Sequence, residues 1–231
     1  MSPSRIPLFP LGLVLLPGAM LPLHIFEPRY RALVADLTTQ VDEPDGPGPV
    51  GFGVVAIRVG RETGVDGVHA LHAVGTFAEL RGVQPYDDGR FDLVARGGQR
   101  FRVQALDTED KPYLQADVEW LPESAGDDAE AQASFVARLF TRYRSTLGLT
   151  GHDNESQTVV DESGRDPRET SYTVASGAVL TVADQQALLE AADDTARLRL
   201  ERELLLRELA LWRAFPSLPD VGAARAPVAL N

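Results

Sequence analysis

At 231 residues, 44% hydrophobic and 24% charged, the chain is long enough for one large domain or two small ones with a sizeable core. Its 34 acidic against 22 basic side chains leave a net charge of −12, which sets the average surface against nucleic-acid backbones and anionic lipid. The lack of cysteine excludes disulfides, thiolate metal sites and cysteine nucleophiles, and fits a reducing, cytoplasmic setting.

The first segment, Ile6 to Leu23, carries no ionisable side chain over 18 residues, the length of a membrane span. Pro7, Pro10, Pro17 and Pro22 interrupt it, each at about 3 kcal/mol in a helix interior, and lipid offers the freed backbone groups no partner. No A-x-A cleavage site precedes Glu27, Arg29 and Arg31, so a signal peptide fits no better. The segment reads instead as two extended pieces, 11–16 and 20–25, joined at a Pro17-Gly18 turn and bent around a small barrel or sandwich. Pro28 then opens a helix where no amide donor is needed, and Tyr30, Leu33, Val34 and Leu37 give it one apolar face. The acidic, Pro/Gly-rich stretch 42–49 ends it.

Residues 50–60 alternate as a strand does, and short strands follow to 121. Turns are expected at 64–67, 87–89 and 97–98, and the last strand, 113–121, places Leu114, Ala116, Val118 and Trp120 on one side. Residues 1–121 thus form a β-rich unit, closed or nearly so. From 122–128 the period changes to 3.6, with a helix near 129–147 carrying Phe135, Val136, Leu139, Phe140 and Tyr143. The polar, acidic stretch 149–171 is expected to be a mobile insertion. Helical pattern resumes near Val174, Asp184 reads as an N-cap, and a long helix starts at Asp194 or Thr195. That helix carries one stripe of Leu198, Leu205, Leu209 and Trp212 and a second of Leu200, Leu204, Leu211 and Phe215, with Arg199–Glu203 and Glu203–Arg207 pairs between. Burial inside a helical subdomain, 122–215, accounts for most of this apolar surface, and a homodimer through the same helix is the second reading. Residues 216–231 read as a disordered tail.

No chemistry emerges from the motifs. There is no phosphate-binding G-x-x-x-x-G-K-[ST] or G-x-G-x-x-G, and no G-x-S-x-G. His69 and His72 lie three apart in a strand, which points them to opposite sides and denies a shared metal. Lys111, the one lysine, sits among Glu109 and Asp110 in a turn, where its ammonium stays charged and cannot serve as a base. The expectation is a protein that is not an enzyme, with no catalytic residue, no metal and no cofactor.

Residues 5–34, RIPLFPLGLVLLPGAMLPLHIFEPRYRALV, closely resemble the opening of the Lon protease N-terminal domain. The likeness continues through VGTFAEL (74–80) and GRFDLVARGGQRFRV (89–103), and more loosely through 184–209. It implies an α+β fold: a PUA-like β-barrel subdomain followed by a helical subdomain with one long helix. It implies a stand-alone substrate-recognition module that binds exposed apolar stretches of unfolded or degron-bearing polypeptides, with a protease or chaperone as its partner. A peptidase label would be inherited from the family, because neither the ATPase nor the Ser/Lys peptidase motifs occur in this sequence. Pro17 and Met20 at the turn, Tyr86 at a hairpin tip and Tyr113 are the candidate substrate contacts. Two other readings stand beside it: RNA binding, which the −12 charge opposes, and a small-molecule or cryptic hydrolase cleft between the two halves.

Overall fold

The computed structural model describes residues 4–41, 49–60, 68–148 and 166–214. The expected turn at 64–67, residues 149–165 of the insertion and the 216–231 tail fall outside these. Two compact units divide between Pro122 and Glu123.

Among the described residues, the first unit holds seven strands and a helix: β1 (Ser4–Leu11), β2 (Met20–Ile25), α1 (Pro28–Val41), β3 (Gly51–Gly60), β4 (Val68–Leu71), β5 (Val74–Pro85), β6 (Phe91–Asp107) and β7 (Gln115–Trp120). Pairing runs β1-β7-β6-β5-β3, and β3 returns to β1 in parallel, so five strands close a ring. The other pairings are antiparallel, with β2 added to β6 and β4 to β3.

The first strand is Ser4–Leu11, earlier than the expected 11–16 and in spite of Pro7 and Pro10. Ser4–Pro7 pairs with β7 and Leu8–Leu11 with β3, so each proline lies in a half bonded to one neighbour. A missing N–H is tolerated there. Alternation then serves two clusters: Phe9 and Leu11 join α1, β2 and Phe52, while Ile6 and Leu8 pack with Val55, Phe77, Phe101 and Val118. As expected, Tyr30, Leu33, Val34 and Leu37 of α1 are buried, with Tyr30 stacked on Phe9 at 3.9 Å between centroids.

The Gly97-Gly98 pair is not a turn. It lies inside the continuous strand β6, where Gly97 exchanges backbone hydrogen bonds with the Pro17-Gly18 turn: Gly18 N donates to Gly97 O and Gly97 N to Ala19 O. A Cβ at Gly97 would stand 2.2 Å from the Leu16 carbonyl oxygen, so the glycine is there for close approach. Gly97→Ala should therefore cost about 1–3 kcal/mol in a thermal or urea melt. Gly82, where a Cβ meets no atom within 4 Å, should accept alanine without loss.

The second unit contains α2 (Ala129–Thr146), α3 (Pro167–Gly177), α4 (Val182–Glu190) and α5 (Asp194–Ala214). Its core joins Val136, Leu139, Phe140 and Tyr143 to Val174, Leu198, Leu205 and Leu209. Residues 167–171, expected as loop, are helix: Asp166 caps α3 by accepting from the backbone N–H groups of Arg168 and Glu169, and Pro167 occupies the first turn. The N-cap of α4 is Thr181 rather than Asp184. Its Oγ1 accepts from Asp184 N, and Asp184 in turn binds Arg207 at 2.8 Å. Arg207 thus pairs with Asp184 and Glu208 instead of Glu203.

Candidate functional site

Strand β6 lies between β2 and β5, and register fixes three rows on the outer face. Met20 stands opposite Arg96 and Glu79. Pro22 is opposite Val94 and Gly82, and His24 is opposite Asp92 and Gln84. Leu21, Leu23, Ile25, Leu93 and Ala95 take the alternate, buried positions, which forces the even-numbered residues outward. Met20 is 56% exposed and Val94 39%, with Pro22 also in solvent, so apolar side chains occupy the middle of the face.

A polar cluster closes one end. The hairpin bond from Gly89 N to Tyr86 O holds the tip, and Gly89 takes φ +81°. Tyr86 OH donates to Asp92 Oδ2, while His24 Nδ1 lies 2.6 Å from Asp92 Oδ1. The Arg90 guanidinium, which can only donate, faces His24 Nε2 at 3.4 Å. This places the imidazole proton on Nδ1, donated to Asp92. Hydrogen bonds from Tyr86 and His24 hold the Asp92 carboxyl below its ordinary range, and the same carboxylate raises the Tyr86 phenol. The groups orient one another through these hydrogen bonds.

Of the sequence-level candidates, Met20 lies in the row at one end of this face, with Pro17 in the adjoining turn, and the Tyr86 hydroxyl reaches Asp92 at the other, roughly 13 Å along the strand from Arg96. Tyr113 is elsewhere. It is 5% exposed, packed in the core, with its hydroxyl donating to Asp36 at 2.6 Å beside Lys111. Burial and that carboxylate raise its phenol, and the hydrogen bonds from Tyr113 and Lys111 lower Asp36. Pro22, Val94, Gly82 and Arg96 were missed, although alternation in MLPLHI and FDLVAR places Pro22, Val94 and Arg96 outward; Gly82 joins them through the β5–β6 register.

A second concentration of charge is buried within the helical unit. Arg197, 0% exposed, donates to Asp194 Oδ1 (3.2 Å), Glu123 Oε2 (3.4 Å) and Leu188 O (3.3 Å), and stacks 4.0 Å over the Tyr172 ring. Arg168 adds a contact to Asp194, Tyr172 OH donates to Glu123, and Ser171 Oγ donates to Glu201 Oε1 at 2.9 Å. Burial pushes the Asp194 and Glu201 carboxyls upward, Glu201 strongly. With Ser171 and Glu201 sealed from solvent, this network ties helices together and offers no reacting atom to a substrate.

A ring of strands with an exposed apolar sheet face, joined in sequence to a four-helix unit, defines the class of domain. The chain belongs to the family of the ATP-dependent protease La (LON) substrate-binding domain, whose model matches residues 5–207. It is 30% identical over 214 residues to Lon protease 2 of Sorangium cellulosum, covering 91% of this chain and 25% of that protein. It is 31% identical over 149 residues to protein cereblon of Danio rerio, covering 63% of this chain and 32% of that one. The chain spans about a quarter to a third of the length of these curated relatives. The crystal structure of a Lon N-terminal domain protein from Xanthomonas campestris superposes with a TM-score of 0.57 at 26% identity, over 90% of this chain and 98% of that chain. The N-terminal domain of a Mycobacterium avium complex Lon protease shares the fold at TM-score 0.60 and 20% identity. Among the described residues, no helix is long and apolar enough to cross a membrane.

Proposed function

We propose that the domain recognises substrates by laying extended apolar stretches of unfolded or degron-bearing polypeptide along the outer face of β2, β6 and β5. The observation that carries this is the group of exposed apolar side chains on a three-strand face, Pro22 and Val94 in its middle row and Met20 in the next. Exposed apolar side chains set side by side mark an interaction site more often than scattered ones do. In this reading the strand ring is the PUA-like barrel of the Lon N-terminal fold, and it supplies the rigidity. The domain does no chemistry itself and works in the cytoplasm, passing its clients to a protease or chaperone. Pro17, Met20 and Tyr86 belong to the face, while Tyr113 serves the core beneath it.

Titrating a fluorescently labelled, permanently unfolded protein tests this. Met20→Asp with Val94→Asp should weaken binding by tenfold or more, because two desolvated apolar contacts of about 1 kcal/mol each are replaced by charges. Unchanged affinity in the folded double variant would remove the face from the mechanism. For a homodimer through α5, Leu206 and Leu211 are exposed apolar residues of that helix, and sedimentation of the chain as a monomer would dispose of that role.

A further inference from the structure

The geometry points to a short pattern that the face reads in its client: an apolar side chain seated over Gly82, with an Asp or Glu two residues away over Arg96. This rests on the reading that the face takes extended polypeptide, and it names which segments that face prefers.

The seat comes from the middle row. Gly82 brings no side chain, and the space where its Cβ would lie is open for 4 Å. Its neighbours across the row are Val94 and then Pro22. A glycine beside exposed Val94, with Pro22 on the far side of that valine, leaves a dent with an apolar wall towards β6, suited to one aliphatic or aromatic side chain. The charge comes from the next row, two residues along β6 and therefore about 6.7 Å away. Arg96 is exposed, with its guanidinium nitrogen 4.0 Å from where a Gly18 Cβ would stand, beside the turn. Glu79 is its cross-strand neighbour, but that carboxylate is held by Arg81 at 2.5 Å and leans over Gly98. In the third row Asp92 already accepts from Tyr86 and His24, and Arg90 beyond it binds Asp88.

Along these rows, among the described residues, Arg96 is the charged side chain left without an ion-pair or hydrogen-bond partner. On a chain of net charge −12 it is a local exception, an attraction for carboxylate where the general surface repels it. An extended client repeats its same-side residues every second position at nearly the spacing of β6. The apolar residue and the acid therefore fall two positions apart, in either chain direction. The acid is a side chain because the proposed clients are internal segments of unfolded proteins.

Fluorescence anisotropy with end-blocked peptides tests this, using one apolar anchor in a polar background and Glu, Gln or Lys two positions from it. The Glu peptide should bind about two- to fivefold more tightly than the Lys peptide, the range of a partly exposed ion pair. The preference should fade as salt rises. Arg96→Gln should abolish it and Arg96→Glu reverse it, while Gly82→Val should weaken every peptide at an unchanged melting temperature. Moving Glu to the adjacent position should also remove the preference. Equal binding of Glu and Lys peptides, or a preference that survives Arg96→Gln, overturns the pattern. An unblocked peptide without Glu that competes as well as the Glu peptide assigns Arg96 to a terminal carboxylate and overturns the side-chain reading. If no peptide binds the wild-type protein, the proposed function fails as well. Flank-independent binding that is still sensitive to Met20→Asp sinks only the pattern.

Discussion

Arg197→Leu should destabilise the helical unit by about 3 kcal/mol or more, the largest loss expected from any single substitution here. Arg197 is fully enclosed and joins three parts of one unit: Glu123 from the segment after β7, Leu188 at the end of α4, and Asp194 at the start of α5. It also covers the Tyr172 ring of α3 at 4.0 Å. Leucine fills part of the volume but leaves the Asp194 carboxyl, 2% exposed, with Arg168 at 3.5 Å as its remaining cation. The cost is mostly that stranded charge. Adding Asp194→Asn to Arg197→Leu should recover part of the loss, and a double-mutant cycle measures how much. Arg197→Lys should fall between wild type and leucine, because an ammonium keeps the charge but cannot span the three acceptors or stack as the planar fork does.

The two tryptophans make the measurement unit-specific. Trp120 lies in β7 and Trp212 in α5, so Trp212 fluorescence in a Trp120→Phe background follows the helical unit alone. The defect should be widest at neutral and alkaline pH. It should narrow as the pH falls through the range of the Asp194 carboxyl, which burial raises above the ordinary carboxylate value, because the protonated group no longer needs a cation. An equal defect at every pH would mean that lost packing, rather than the unpaired carboxyl, sets the cost.

The parts of this fold that could be read from the chain are those where one physical signal acts alone. The apolar face of α1 and the alternation of β2 follow from hydrophobic period, and Pro28 marks its helix because its ring suits the first turn. Reading failed where two demands meet in one residue type. Gly97-Gly98 has the composition of a turn, yet Gly97 is small because the Leu16 carbonyl packs against it. Pro7 and Pro10 speak against a helix but do not reveal a strand whose pairing switches from one neighbour to another halfway along. Residues 166–171 looked like loop for their polarity, although Asp166-Pro167 is a helix-start signal. Of the outer face of β2, β6 and β5, the sequence offered Met20, with Pro17 in the adjoining turn and Tyr86 in the hairpin beyond it. The remainder needed the cross-strand register, which brings Gly82 and Arg96 beside residues about 60 to 80 positions away.

The buried network was hidden for a related reason, and it yields the second large prediction: Glu201→Gln should gain stability relative to wild type as pH rises. On α5 the residues Asp194, Arg197, Leu198, Glu201, Leu204 and Leu205 share one buried stripe at helical spacing, half of it written in charged letters. Arg168 and Arg197 supply two positive charges, and Glu123 and Asp194 balance them. Glu201 is a third acid with no cation left over. It is 1% exposed, its Oε1 takes one hydrogen bond from Ser171, and its Oε2 has no partner. Burial therefore raises its carboxyl well above the ordinary value of 4.5, so the folded state holds the proton after the unfolded state has released it. Below about 4.5 both states are protonated and the fold keeps its full stability. Above that, each pH unit up to the folded pKa removes about 1.4 kcal/mol. Glutamine keeps an oxygen for Ser171 and carries no titrating proton, so its melts should lose that slope while still burying an unpaired polar group. Urea midpoints of the two proteins at successive pH values should diverge upward from the acid side. Parallel profiles would mean that Glu201 is ionised in the fold and has a cation or solvent beside it.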